Sequence, residues 1–217
     1  MNRASLSAIL LALSLFAGFA LSAEMPLPTD SVFRLDARFS DQAGEEFLLA
    51  DRRGRPQLVA MFYTSCKFVC PLIVDSAKGV EHALTLEERG RLAILLISLD
   101  PARDDTAALK SVADKRRLDP AHWTLARTNK SEVRKLAALL GVRYRALADG
   151  EFNHTSALVL LDAEGRKLAS SARLGAVPEP EFLAAVRAAL STDSATVAKE
   201  SGMGRPPIGG GIPKGTF

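Results

Sequence analysis

Two unbroken apolar runs stand out along the chain. Residues 57–63 carry Leu58, Val59, Ala60, Met61, Phe62 and Tyr63, and residues 91–99 carry Leu92 through Leu99 with Ser98 as the one polar position. Runs of this length, set off by Gly54 and Pro56 before the first and by Asp100 and Pro101 after the second, predict strands buried on both faces. Between them Val69, Leu72, Ile73, Ala77, Val80, Ala83 and Leu84 recur at helical spacing. They predict a helix from about 69 to 88, with Pro71 in the first turn, where its missing N–H costs nothing. Helices are also predicted over 106–117 and 131–140, the second stopped by Gly141. A third strand at 157–161, a turn at 162–165, a return strand at 167–173 and a helix at 180–190 complete the series. Upstream, 31–35 and 46–49 are short strand candidates around Gly44. The order strand–helix–strand–helix, then hairpin and helix, predicts an α/β fold. Its central mixed sheet starts parallel, has helices on both faces and carries an N-terminal strand extension.

Polarity also divides the chain. Residues 4–23 hold no charged side chain, follow Arg3, and are filled by Leu, Ile, Phe and Ala with small residues at Ala20 and Ser22. Residues 1–23 therefore read as a secretory signal cut after Ser22, or as an uncleaved membrane anchor formed by 4–23. Both readings put the domain outside the cytoplasm, in or facing the periplasm. Residues 24–30, with Pro26 and Pro28, form a linker, 31–190 the domain, and 191–217 a Gly/Pro-rich flexible tail.

Composition adds little that conflicts. At 47% hydrophobic and 24% charged residues the chain can bury an ordinary core. The net charge of +3 comes from scattered pairs such as Arg52 with Arg53 and Arg116 with Arg117, so no nucleic-acid partner is expected.

The cysteines carry more information. There are two, Cys66 and Cys70, at the handover from the first long strand to the first helix. A disulfide across so short a loop would constrain almost nothing, which points to chemistry instead. Ligands in open α/β sheets sit beyond the carboxyl ends of strands, and a helix N-terminus stabilises thiolates. Cα atoms four apart on a helix lie roughly 6.2 Å from each other, against roughly 5.0 Å at three apart. That spacing allows a disulfide with some adjustment, or a metal ion between the sulfurs. Thiolates select Cu(I), zinc or iron–sulfur clusters, and two cysteines alone cannot complete a structural zinc site. Of the three histidines, His82 lies twelve positions beyond Cys70 on the same predicted helix, about 18 Å along its axis. It reads as a surface or packing residue, and His122 reads as structural. His154 precedes the strand predicted to lie beside 57–63, in a loop placed to reach the cysteines. Asp100 is a turn starter or a group that orients the site, and Tyr63, Phe68 and Phe152 are core residues or an apolar wall around it.

The segments Phe62 to Pro71, Ile97 to Asp104, Phe152 to Thr155 and Asp162 to Gly165 resemble, in this order, the Sco/SenC family of copper proteins. The resemblance implies a thioredoxin-like fold and a copper ion held by Cys66, Cys70 and His154. It further implies a role in assembling a copper centre of a respiratory enzyme such as cytochrome c oxidase. The partners would be the client subunit and a copper donor or thiol reductant protein. Lys67 stands where the family commonly has proline, and Asn153 where it often has aspartate. Both changes lower sulfur pKa values and weaken attraction for a cation. The alternative is a thiol–disulfide oxidoreductase with Cys66 and Cys70 as its redox pair; His154, which exchange alone does not need, favours the metal. A peroxidase on the same fold and a structural disulfide fit the residues less well.

Overall fold

The computed structural model describes residues 26–66 and 69–201, with side chains at 26–66 and 71–191. The two apolar runs form β3 (Gln57–Phe62) and β4 (Ala93–Ser98), and every residue of both is buried. They pair in parallel from Gln57 opposite Ala93 to Phe62 opposite Ser98, and β5 (Trp123–Arg127) extends the parallel set along β4. On the other side β8 (Leu158–Leu161) runs antiparallel to β3, and β9 (Lys167–Ser171) closes that edge in the predicted hairpin with β8. A hairpin of β1 (Arg38–Asp41) and β2 (Glu46–Leu48) adds to β5, giving the order β2-β1-β5-β4-β3-β8-β9. This is the expected mixed sheet with an N-terminal strand extension.

Three helices, α1 (Val69–Ala83), α3 (Thr106–Arg116) and α5 (Pro180–Ser201), cover one face and touch one another at their edges. Lys78 on α1 donates to the Arg116 carbonyl, and Arg187 on α5 donates to the Ala83 carbonyl. The opposite face carries α4 (Lys130–Leu140), whose Val133, Leu136, Ala137 and Leu140 join the core. Full burial of β3 and β4 needs both layers, since a strand's side chains alternate between faces.

The structure corrects several boundaries. Residues 31–35 form no strand: Ser31 caps a 3-10 turn, Val32–Arg34, accepting from the Phe33 N–H and donating to the Glu164 carbonyl at 2.5 Å. The extension strand is β1, which the apolar pattern passes over because Phe39 is its one buried residue. The helix predicted to reach 88 ends at Ala83. A separate helix, α2 (Leu86–Arg91), begins behind a capping box in which Thr85 and Glu88 serve each other's backbone N–H. The last helix runs to Ser201 instead of stopping at 190. No Gly or Pro interrupts the chain between Pro180 and Gly202. The leader at 1–23, including 4–23, and residues 202–217 of the tail lie outside the described residues. Among the described residues no helix is long and apolar enough to cross a membrane.

One close approach fixes α1 against the loop between β9 and α5. A Cβ at Gly79 would lie 2.2 Å from the Ala176 carbonyl oxygen, and Ser76 of the same helix accepts from the Gly175 N–H at 2.7 Å. Gly79→Ala is expected to destabilise the domain by about 1–3 kcal/mol, read as a lowered urea midpoint with an unchanged slope.

Candidate metal centre

The first long strand ends at Phe62, and its chain continues through Tyr63, Thr64, Ser65 and Cys66 in a turn closed by the Cys66 N–H on the Tyr63 carbonyl. What holds this turn is a carboxylate from another element. Asp104, fully buried, accepts from the Thr64 N–H at 3.0 Å, the Thr64 hydroxyl at 2.5 Å and the Ser98 hydroxyl at 2.5 Å. A buried carboxylate without such donors would cost several kcal/mol; with three it becomes a rigid node between the ends of β3 and β4. Asp100 starts the turn that delivers it, accepting on its carbonyl from the Arg103 and Asp104 N–H groups. The Asp100 carboxylate pairs with the Arg103 guanidinium, and this hydrogen bond holds Arg103 above its ordinary pKa.

His154 arrives on a different element. Residues expected as a loop instead form a two-stranded ribbon of β6 (Tyr144–Ala146) and β7 (Phe152–His154), separate from the main sheet, with Tyr144 opposite His154. The ribbon escapes the apolar pattern because its strands are three residues long and half exposed. Arg103 reaches it as well, donating to the Gly150 carbonyl in the turn between its strands.

Tyr63 brings the two parts together. Its hydroxyl donates to Glu151 at 2.8 Å, accepts from the Phe152 N–H at 3.4 Å and hydrogen-bonds the Cys66 thiol. Its ring stands edge-on to Phe152 at 5.2 Å and to His154 at 5.9 Å between centroids. Burial first, then the bonds to Cys66 and Glu151, push the phenol well above its ordinary pKa, so it stays neutral. Cys66 and His154 thus flank one aromatic ring.

The histidine ring is held in one tautomer. Its Nδ1 lies 3.2 Å from the Thr155 carbonyl oxygen, which can only accept, so Nδ1 carries the hydrogen and Nε2 keeps a lone pair. Burial lowers its pKa, opposed by the Thr155 bond, and this favours the neutral ring. Cys66 borders a cleft of about 140 Å³ with Pro71, Val74 and Val112 in its wall and Lys115 and Arg116 beside them.

Cys70 falls in the first turn of α1, as expected, but its side chain lies outside the described residues, as do Lys67 and Phe68. Asn153 is exposed on β7. Tyr63 belongs to the core and stands beside His154 at once, and Phe152 packs against the core and against Tyr63. His82 is exposed near the far end of α1, and His122 precedes β5 away from the cysteines. Among the described residues no group of three His, Cys, Asp or Glu side chains is assembled to hold a metal. The residues that sequence reasoning missed are Glu151, Arg103 and Asp104. The last two stand in the Asp-Pro-x-Arg-Asp segment that helps carry the family resemblance, so the signal was present without its mechanical meaning.

Two outcomes follow from this geometry. Asp104→Ala should cost about 2–4 kcal/mol and loosen the Cys66 turn, seen as lost hydrogen-exchange protection at the Thr64 amide. Because folding lowers the His154 pKa, the unfolded chain takes up that proton first as pH falls. The histidine's stabilising contribution is complete above about pH 6.5 and is lost as pH drops toward the folded value. Urea melts between about pH 7 and pH 5 should therefore show a steeper acid loss for the parent protein than for His154→Gln.

A family model described as SCO1/SenC matches residues 29–190. A Stutzerimonas stutzeri protein named "Putative copper-binding protein" is 26% identical over 129 residues, which are 58% of this chain and 62% of that protein. The structure of Bradyrhizobium japonicum ScoI with copper bound is 24% identical with a TM-score of 0.59, covering 70% of this chain and 96% of that one. BsSco, a member of the Sco family of cytochrome c oxidase assembly proteins, is 21% identical with a TM-score of 0.60, covering 71% and 91%. The structural likenesses identify the architecture as thioredoxin-like. With its sheet, its cysteine turn and its histidine ribbon all inside the matched span, the chain belongs to the SCO1/SenC family.

Proposed function

We propose that this chain is an exported copper carrier that helps assemble a copper centre of a respiratory enzyme such as cytochrome c oxidase. Copper is its cargo, and Cys66, Cys70 and His154 are the groups that hold it. Two thiolates and one neutral imidazole form a soft donor set, suited to Cu(I) and able to accept Cu(II). The observation that carries this reading is the position of Tyr63, with the Cys66 thiol on its hydroxyl and the His154 ring against its edge. Membership of the family adds support, as do the copper-bound ScoI structure and the name of the Stutzerimonas relative. Residues 4–23 would carry the domain across the inner membrane as a cleaved signal or tether it there, facing the periplasm.

A second reading rests on the placement of Cys66, half-exposed at a strand-to-helix turn and sharing its cleft with Lys115 and Arg116. Nearby positive charge favours a thiolate. As a reductant, the Cys66 thiolate would attack a client disulfide, forming a mixed disulfide and releasing one client thiolate. The Cys70 thiolate would then attack the Cys66 sulfur and release the second, so two electrons pass to the client as Cys66 and Cys70 become a disulfide.

Anaerobic Cu(I) titration of the reduced protein lacking residues 1–23, against a chromogenic chelator, separates the two. One equivalent bound, with affinity falling roughly tenfold or more in His154→Ala, is the expected result. Weak binding indifferent to that change, together with rapid reduction of a protein disulfide, would assign the chain to the second reading.

A further inference from the structure

Beside the metal-site ribbon lies a cleft of about 640 Å³ that the proposed chemistry does not use. Its floor is apolar, formed by Leu99, Pro101 and the rings of Tyr144 and Phe152, which stand 6.2 Å apart. Arg127, Lys130, Arg134 and Arg145 line it from three elements, namely β5, the first two turns of α4, and β6. Four cations on one cleft exceed the net charge of the entire chain, +3. The carboxylate on its wall, Asp100, is already matched by Arg103. Arg127 donates to the Pro101 carbonyl, while Lys130, Arg134 and Arg145 are exposed and take part in no ion pair among the described residues. On the same helix Lys135, by contrast, is paired with Glu132. Unmatched like charges gathered over an aromatic floor repel one another, and that cost is relieved when a partner brings carboxylates.

The cleft is continuous with the site. Phe152 lines it and touches Tyr63, and Tyr144 lines it and pairs with His154 across the ribbon. A chain lying in the cleft would pass within two residues of the histidine.

We propose that this cleft is a docking groove for an acidic segment of polypeptide, with carboxylates flanking an apolar side chain, on the protein that exchanges cargo at the neighbouring site. The proposal rests on the reading of that site as metal-handling, but its test does not. The basic side chains meet the carboxylates, the Tyr144 and Phe152 rings take the apolar residue, and the contact brings the partner's own ligands beside His154. Pairs at such a rim act mainly on encounter and register, so binding should be salt-sensitive.

The test uses the full chain and a triple variant, Lys130→Glu with Arg134→Glu and Arg145→Glu, whose changes lie on exposed positions outside the metal-site residues. The probes are a fluorescent acidic peptide with a central phenylalanine, the same peptide with its carboxylates amidated, and inorganic tripolyphosphate. The expected result is binding of the acidic peptide that weakens with salt and weakens about tenfold or more in the variant. Copper stoichiometry and the thermal midpoint should stay unchanged. Equal binding of the amidated peptide, equal binding by the variant, or no binding of the acidic peptide would overturn the proposal. Tripolyphosphate binding that excludes the peptide would overturn it too, and would assign the cleft to phosphate. If the copper titration fails while the peptide result holds, the docking groove stands and the copper reading falls.

Discussion

A phenolic hydroxyl can both donate and accept, and Tyr63 uses its own to join the Cys66 turn to the histidine ribbon. The residue follows directly on the central strand, so its own position is set by the deepest part of the core. Whatever geometry the site has, it is measured from this side chain. Asp104 holds the near half by fixing Thr64, and Arg103 holds the far half at Gly150. Two residues adjacent in sequence thus brace opposite walls, and the Asp100 turn that presents them both follows β4. The parallel pairing of β3 with β4 is what brings that turn level with the cysteines.

How much of this was legible varies with the kind of signal. The long strands were plain because a strand buried on both faces must be apolar throughout, and few other structures need that. The place of 157–161 beside 57–63 followed from the same logic and is met by Leu160 opposite Leu58. Cys66 and Cys70 announced themselves by sitting where a strand feeds a helix. Short elements were harder. β1 and the β6–β7 ribbon have one buried face at most, and their identity comes from tertiary pairing that no local pattern records.

Two misreadings had their remedy in the residues themselves. Thr85 and Glu88 form a capping box, a local device, yet the apolar periodicity ran through it and joined two helices into one. Ser31 looked like the head of a strand until its hydroxyl is seen serving the Phe33 N–H, a competition between side chain and ladder that favours a tight turn. Glu151 had no such marker. Its value depends on the Tyr63 hydroxyl, 88 positions away in the chain, and only folding discloses it.

Among the described residues, the imidazole rides on a ribbon that shares no backbone ladder with the seven-stranded sheet. The ribbon's pairing is therefore separate from the sheet's, and Tyr63 and Phe152, which pack on the core and on each other, carry the link between them. Substitution at residues 147–149, the exposed tip of that ribbon, can proceed while leaving the hydrophobic interior untouched. Such modularity lets the ribbon diverge in sequence while the sheet beneath it keeps its packing.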